Sequence, residues 1–329
     1  MPSRFSTLFA LLIAALAANT IAAQSATAPA ALALPDDWYP ESVARDADGA
    51  FYAGSWRQGA VVRIAADGSS RMLVPPGSNG LANVQGVLVD ETAQLLWVCS
   101  GNMGFTTVPQ TPSALKSYAL ASGKPVASYL LPDRGYCNDL VQDSHGTLYV
   151  SDSKNPRVLR LPRDGAALQV WLALADHPAG KDGFFFNGIA LDGDDQLYLS
   201  EVSATDHLLR IGITADGTPA APATIRFARP LKNADAIRSA GPGRLVIFES
   251  NAFGNDGPYG GQISIASISD NTGTLQTLVA GLNDPSSGVV ADGRVYFIES
   301  KYGLLIKRTQ DKLPIPQHVP FDLQSQPLP

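Results

Sequence analysis

One short pattern recurs six times along this chain, and the recurrence limits the fold more than any other feature. Residues 187–201, NGIALDGDDQLYLSE, show it: a polar residue opens an apolar strand, a turn rich in Asp and Gly follows, and a second strand ends on an acidic residue. Strand–turn–strand of this kind is a hairpin signal. Copies in one register begin at Glu41, Gln85, Asn138, Asn187, Asp235 and Ser287, at steps of 44, 53, 49, 48 and 52 residues. Periods of that size belong to arrays and propellers.

Each period holds more than the hairpin. GAVVRIAADG and SSRMLV flank an Asp67–Gly68 turn, and RVLRLPRDG and ALQVWLAL flank Asp164–Gly165. Asp-Gly between alternating strands is a strong turn signal. Each unit therefore reads as a four-stranded antiparallel meander of roughly 50 residues, the size of a propeller blade. A sustained 3.6-residue apolar period is missing after the N-terminus, so helix is minor. The expectation is an all-β chain, a six-bladed β-propeller filling residues 36–329 as one domain. The competing fold is a long β-sandwich, which does not explain so regular a repeat. Residues 31–34 or 320–323 are the candidates for the strand that closes the ring.

The N-terminus reads as a leader. Arg4 supplies one positive charge, Leu8 to Ala18 are apolar, and Ala22 and Ala23 are small. Residues 1–23 fit an export signal; the alternative, a membrane anchor, asks for a longer apolar run. Residues 24–35 look like a disordered Ala/Pro lead-in. Export to the periplasm or outside the cell bears on Cys99 and Cys137, the whole cysteine supply. They form either a disulfide, which such a compartment allows, or two buried thiols. A net charge of -6 and a pI near 5.2 argue against nucleic acid as a partner. After signal cleavage no span of the membrane is expected.

In a propeller the first strand of each blade lines the central channel. The residues opening those strands would then form a ring at one mouth: Glu41, Gln85, Asn138, Asn187, Asp235 and Ser287. All six side chains offer an oxygen. Two carboxylates and three amides, without imidazole or thiolate, suit Ca²⁺, with Mg²⁺ or Mn²⁺ as alternatives, and point away from zinc and copper. The other reading is a polar, water-filled channel. A second acidic set ends the second strands, at Asp152, Glu201, Glu249 and Glu299, with Ser55 and Ser100 in the remaining two units. These groups either support the ring or bond loop backbone N–H groups.

At these residues the chain resembles the gluconolactonase and regucalcin family of hydrolases, and more distantly the paraoxonases. The resemblance spans about residues 36–320. It rests on PES at Pro40–Ser42, ND at Asn138–Asp139, NGIALD at Asn187–Asp192 and the Asp of NADAI at Asp235. It implies a six-bladed propeller with a divalent cation, usually Ca²⁺, at the channel mouth. The implied ligands are Glu41, Asn187 and Asp235, with Asn138 as a ligand or a water-mediated neighbour touching substrate. The resemblance also makes Asp235 the proposed catalytic base. The chain departs from sugar-lactone members two residues before Asn138, where they often carry Arg and this chain has Tyr136. The histidines, His145, His177, His207 and His318, stand outside the ring and read as non-catalytic.

Two functions follow from this. One is a metal-dependent lactonase or related esterase acting on a small molecule, with Asp235 and Asn138 catalytic and Gln85 and Ser287 completing the ring. Loops at 101–111, 179–186 and 251–260 would form its pocket, with Phe184, Phe185, Phe186, Phe253 and Tyr259 as apolar lining. The other is an exported scaffold propeller in which Ca²⁺ only fastens the blades.

Overall fold

The computed structural model describes residues 31–202, 204–252 and 256–329. The leader at 1–23, residues 24–30 of the lead-in and Phe253 lie outside the described residues. The described residues are all-β, with 24 strands in five hydrogen-bonded sheets, four of them four-stranded and one eight-stranded. Helix is confined to Ile306–Gln310 and four 3-10 turns among the described residues.

The eight-stranded sheet corrects the expectation of six separate sheets. It consists of two antiparallel meanders, residues 186–227 and 234–282, joined along their outer strands. Ala223–Phe227 runs parallel to Thr272–Leu282 through two pairs only, Arg226 with Thr272 and Phe227 with Gly273. Thr272–Leu282 is 11 residues long, whereas the outer strands of the first four units have five or six. Its overhanging end reaches the neighbouring unit. Gly273 permits the approach, because a Cβ there would lie 2.4 Å from the Phe227 ring. Counted by meander, the described residues form six four-stranded units: 40–74, 83–130, 137–173, 186–227, 234–282, and 288–327 completed by Leu32–Leu34.

That last unit joins the two ends of the chain. Leu32 pairs with Leu323, Ala33 with Asp322 and Leu34 with Phe321. Both candidate closing segments thus take part, hydrogen-bonded to one another. Residues 32–34 are a strand rather than disordered lead-in, because Phe321–Pro327 would otherwise present a bare edge. Beside this seam, the Asp37 carboxylate accepts the backbone N–H groups of His318 and Val319.

Apolar side chains on both faces of the units form six clusters, each spanning two consecutive units. Val84, Leu96 and Val98 meet Tyr52 and Val61; Phe186 and Leu199 meet Val158 and Trp171. Another joins the last unit to the first, packing Phe321, Leu323 and Ile298 on Phe51, Val62 and Ile64. Each fully buried Leu, Ile, Val or Phe contributes about 1.5–3 kcal/mol. First strands are neighbours in chain order, and Gly288–Ala291 returns to contact Pro40–Arg45. Cys99 and Cys137 form a disulfide, with Cα atoms 5.1 Å apart, linking the second unit to the start of the third.

Candidate active site

Five of the six first strands share an irregularity at one place. Pairing with the second strand slips between Pro40 and Ser42, Val84 and Val87, Cys137 and Leu140, Phe186 and Ile189, and Ala234 and Ile237. Inside these five slips lie Glu41, Gln85, Asn138, Asn187 and Asp235. A β-bulge inserts an unpaired residue and re-aims its side chain. Gly188, next to Asn187, lets the strands close up: a Cβ there would lie 2.5 Å from the Asp235 carbonyl oxygen.

Glu41, Asn138, Asn187, Asp235 and Ser287 line one cavity of about 10 Å³, together with Ser42, Asp139 and Ala236. A cavity holds a single water when it offers about 10–15 Å³, so this one is sized for a water or an ion. Asn187 Nδ2 donates to Asp235 Oδ1 at 2.8 Å, and Asn138 Nδ2 donates to Ser153 Oγ at 2.8 Å. With both amide nitrogens engaged, the amide oxygens are what the two asparagines can offer the cavity.

Three buried carboxylates line this space, Asp139 paired with Arg238 and the other two, Glu41 and Asp235, without a cationic partner among the described residues. Burial pushes the Glu41 carboxyl well above its usual range, and the charges of Asp235 and Asp139 add to the shift while Arg238 opposes it. Asp235 is raised to about 7, chiefly by burial, against hydrogen bonds from Ser250 and Asn187. Crowded carboxylates of this kind are relieved either by a proton or by a cation. No group of three or more His, Cys, Asp or Glu side chains fit to hold a metal occurs among the described residues. The set here is two carboxylates and two amides, all oxygen donors, and it fits a hard divalent cation.

Gln85 departs from the expected ring. It does not line the cavity but is set back behind Glu41. With its amide oxygen turned to accept from Trp56 Nε1 and from the Tyr136 hydroxyl at 2.7 Å, its nitrogen donates to Glu41 Oε1 at 3.2 Å. Gln85 thus braces Glu41, because two aromatic donors hold it back from the channel.

The floor of the site was not foreseen. Arg238 Nη1 donates to Asp139 Oδ2 at 2.6 Å, and Arg238 Nη2 donates to Asp139 Oδ1 at 3.2 Å and to Ser287 Oγ at 3.0 Å. Nε reaches the Gly288 carbonyl at 3.1 Å. This pair separates the cavity from an apolar space of about 240 Å³ lined by Val43, Val87, Leu140 and Ile189 among others. Asp139 follows Asn138 directly, but its partner lies 99 residues on, beyond the reach of local pattern.

Serines fasten the backbone behind the cavity. Ser151 Oγ donates to the Asn187 carbonyl at 2.6 Å, Ser200 Oγ to the Asp235 carbonyl at 2.9 Å, and Ser286 Oγ to the Glu41 carbonyl at 2.9 Å. Each bond ties a candidate ligand's backbone to the preceding unit.

The second acidic set serves the loops. Asp152 accepts Tyr136 N–H at 2.8 Å, Glu249 accepts Lys232 N–H at 2.9 Å, and Glu299 accepts Asn283 N–H at 2.5 Å. Ser100 accepts Ala82 N–H, and Ser55 Oγ donates to the Trp38 carbonyl. Each holds the segment leading into the first strand of its own unit. Glu201 does the same through His177, at 2.5 Å, and also binds His207 at 2.8 Å. His177 and His207 are therefore engaged on Glu201 and do not line the cavity, whereas His145 and His318 are exposed.

An all-β chain of six four-stranded units, with an oxygen-rich cavity where four first strands converge, defines the class. The model of the strictosidine synthase-like N-terminal family matches residues 27–64, which include PES. No curated protein matches. Among solved structures, a gluconolactonase from Xanthomonas campestris is similar at 18% identity and a TM-score of 0.60, covering 92% of this chain and 87% of that one. Regucalcin from Agrobacterium tumefaciens, a calcium-binding protein, is similar at 12% identity and a TM-score of 0.61, covering 92% and 97%. Virginiamycin B lyase from Staphylococcus aureus is similar at 15% identity and a TM-score of 0.58, covering 89% and 82%. The resemblance read from the four motifs is thus borne out in the fold shared with gluconolactonase and regucalcin. The lyase shows that this fold carries more than one chemistry.

Proposed function

We propose that this chain is an exported, metal-dependent hydrolase of a lactone or related ester, built as a six-bladed propeller in one domain. The observation that carries the reading is the convergence of Glu41, Asn138, Asn187 and Asp235, from four units, on one ion-sized cavity. The shared fold of gluconolactonase and calcium-binding regucalcin supports it. Glu41, Asn187, Asp235 and Asn138 would hold the cation, Ca²⁺ by donor type. When bound, such an ion polarises an ester carbonyl and stabilises the charge developing on its oxygen.

The chain's own groups supply the rest. Asp235, ionised beside the cation, would take a proton from the attacking water as general base. The water oxygen bonds to the carbonyl carbon, the ring or ester C–O bond breaks, and the proton returns to the leaving alkoxide. Asn138, held by Ser153, would orient the substrate. Gln85 fixes Glu41, and Arg238 with Asp139 keeps the floor of the site charge-balanced.

A screen of lactones and aryl esters with Ca²⁺ and with EDTA tests the reading. Turnover that EDTA abolishes, and that Asp235→Asn removes without loss of fold, is expected. Spreading the four groups over four units also suits the scaffold reading, in which Ca²⁺ only fastens the ring. That reading predicts a large fall in thermal stability in EDTA and no turnover of any ester.

A further inference from the structure

Directly behind Glu41 stands a group of aromatic side chains that the hydrolytic reading does not yet use. Trp56 and Tyr136 meet at Gln85, which accepts from the indole N–H of one and the hydroxyl of the other. Phe105 stacks on Trp56 with centroids 5.7 Å apart, and Tyr302 meets Trp56 edge-on at 5.7 Å. Phe184 meets Tyr136 edge-on at 6.0 Å. The charges of Asp235 and Glu41 reach the hydroxyls of both Tyr136 and Tyr302. Five rings from segments far apart in sequence therefore form a collar beside the two carboxylates, without lining the small cavity itself.

Trp56 and Tyr136 are buried, but Phe105, Phe184 and Tyr302 are only half-buried, and Met103 beside them is 40% exposed. Apolar surface left open at the mouth of a polar cavity marks a place for an apolar group.

Two of the polar side chains near these rings are engaged elsewhere. The Asn83 amide nitrogen donates to the carbonyls of Trp56 and Gly104, and its oxygen accepts Met103 N–H. Arg157 is held by Asp152 and Asp133. The Lys154 ammonium lies over the Phe184 ring at 3.6 Å, a cation–π contact. A substrate rich in hydroxyls would meet rings that answer it only through the Lys154 ammonium, and most of its polar groups would be desolvated without a partner.

We propose that the site accepts a substrate carrying an aromatic ring or short alkyl chain beside the reacting carbonyl, and discriminates against a polyhydroxylated one. The proposal rests on the hydrolase reading above. The collar acts as a specificity surface, with the half-buried Phe105 and Phe184 as two of its accessible members.

The test compares two δ-lactones in the presence of Ca²⁺, one fused to a benzene ring and one polyhydroxylated. The benzo-fused lactone should be turned over with a kcat/KM at least about tenfold higher. Phe105→Ala and Phe184→Ala should each cut that preference about tenfold, mainly through KM, with thermal midpoints showing both variants folded. Equal or better turnover of the polyhydroxylated lactone, or an unchanged preference in both folded variants, overturns the proposal. If neither lactone is turned over, calorimetric titration with 3-phenylpropanoate and with gluconate separates the two ideas. Binding of 3-phenylpropanoate that weakens in Phe184→Ala upholds the collar while removing the hydrolase. Binding of gluconate alone, or of neither probe, overturns the collar.

Discussion

Ser200 Oγ donates to the backbone carbonyl of Asp235 across the junction between the fourth and fifth units, at 2.9 Å, and accepts the N–H of Gly188 at 2.8 Å. One hydroxyl therefore holds the backbones that carry Asn187 and Asp235, and it is fully buried. Ser200→Ala leaves a carbonyl and an N–H without that partner. The expected loss is about 1–3 kcal/mol of stability, read from denaturant midpoints. Because both backbones bear candidate ligands, weaker Ca²⁺ binding by calorimetry should accompany it. An unchanged Ca²⁺ affinity would mean that the bond serves the fold alone.

The raised carboxyl of Asp235 gives the site a pH signature. Its native value of about 7 lies above the ordinary 3.8, so the contribution to stability is complete below about pH 4. It is lost as pH rises through 7, where the carboxylate ionises in its buried setting. A cation that replaces the proton removes this loss. The rise in thermal midpoint on adding Ca²⁺ should therefore be small at pH 5.5 and several degrees larger at pH 8. A Ca²⁺ response independent of pH over that range would contradict the assignment of Asp235 as a ligand.

His207 keeps its proton to higher pH than an ordinary surface histidine. Its hydrogen bond to Glu201 raises it to about 9 against the cost of burial, with Asp206 adding to the rise. Its contribution to stability is complete below about pH 6.5 and is lost as pH climbs through 9. The side chain is 24% exposed, so solvent screening limits the effect to about 1 kcal/mol. Wild type should lose that much more stability than His207→Gln between pH 7 and pH 10, measured by urea denaturation.

The Cys99–Cys137 bridge closes a loop with a sequence separation of 38. Loop-closure entropy for that length corresponds to about 4 kcal/mol. The Cys99→Ala/Cys137→Ala double variant should show a denaturant midpoint lowered accordingly. Cys137 directly precedes Asn138, so the variant should also bind Ca²⁺ less tightly if Asn138 is a ligand.

Most of the fold was legible because it is written in local terms. The alternation of apolar residues, Asp-Gly turns such as Asp67–Gly68, and a period near 50 residues specify strands, hairpins and repeat number without long-range knowledge. The repeat also picked out Glu41, Asn138, Asn187 and Asp235, since equivalent positions in successive units end at one mouth. It could not show that each sits in a bulge, because the slip depends on pairing with the next strand. Nor could it show that Gln85 is drawn off the cavity, which depends on Trp56 and on Tyr136 of the following unit.

The sequence by itself determined six units of four strands and an oxygen-bearing residue at the head of each. Only the tertiary structure decided which of those residues share a cavity, that Asp139 meets Arg238 beneath it, that Leu32–Leu34 seals the last unit, and that two sheets fuse at Phe227 and Gly273. The reason is physical. Strand and turn propensity act over a few residues, whereas burial, charge pairing and aromatic contact join side chains about 100 to almost 300 residues apart, and those contacts exist only once the ring has closed.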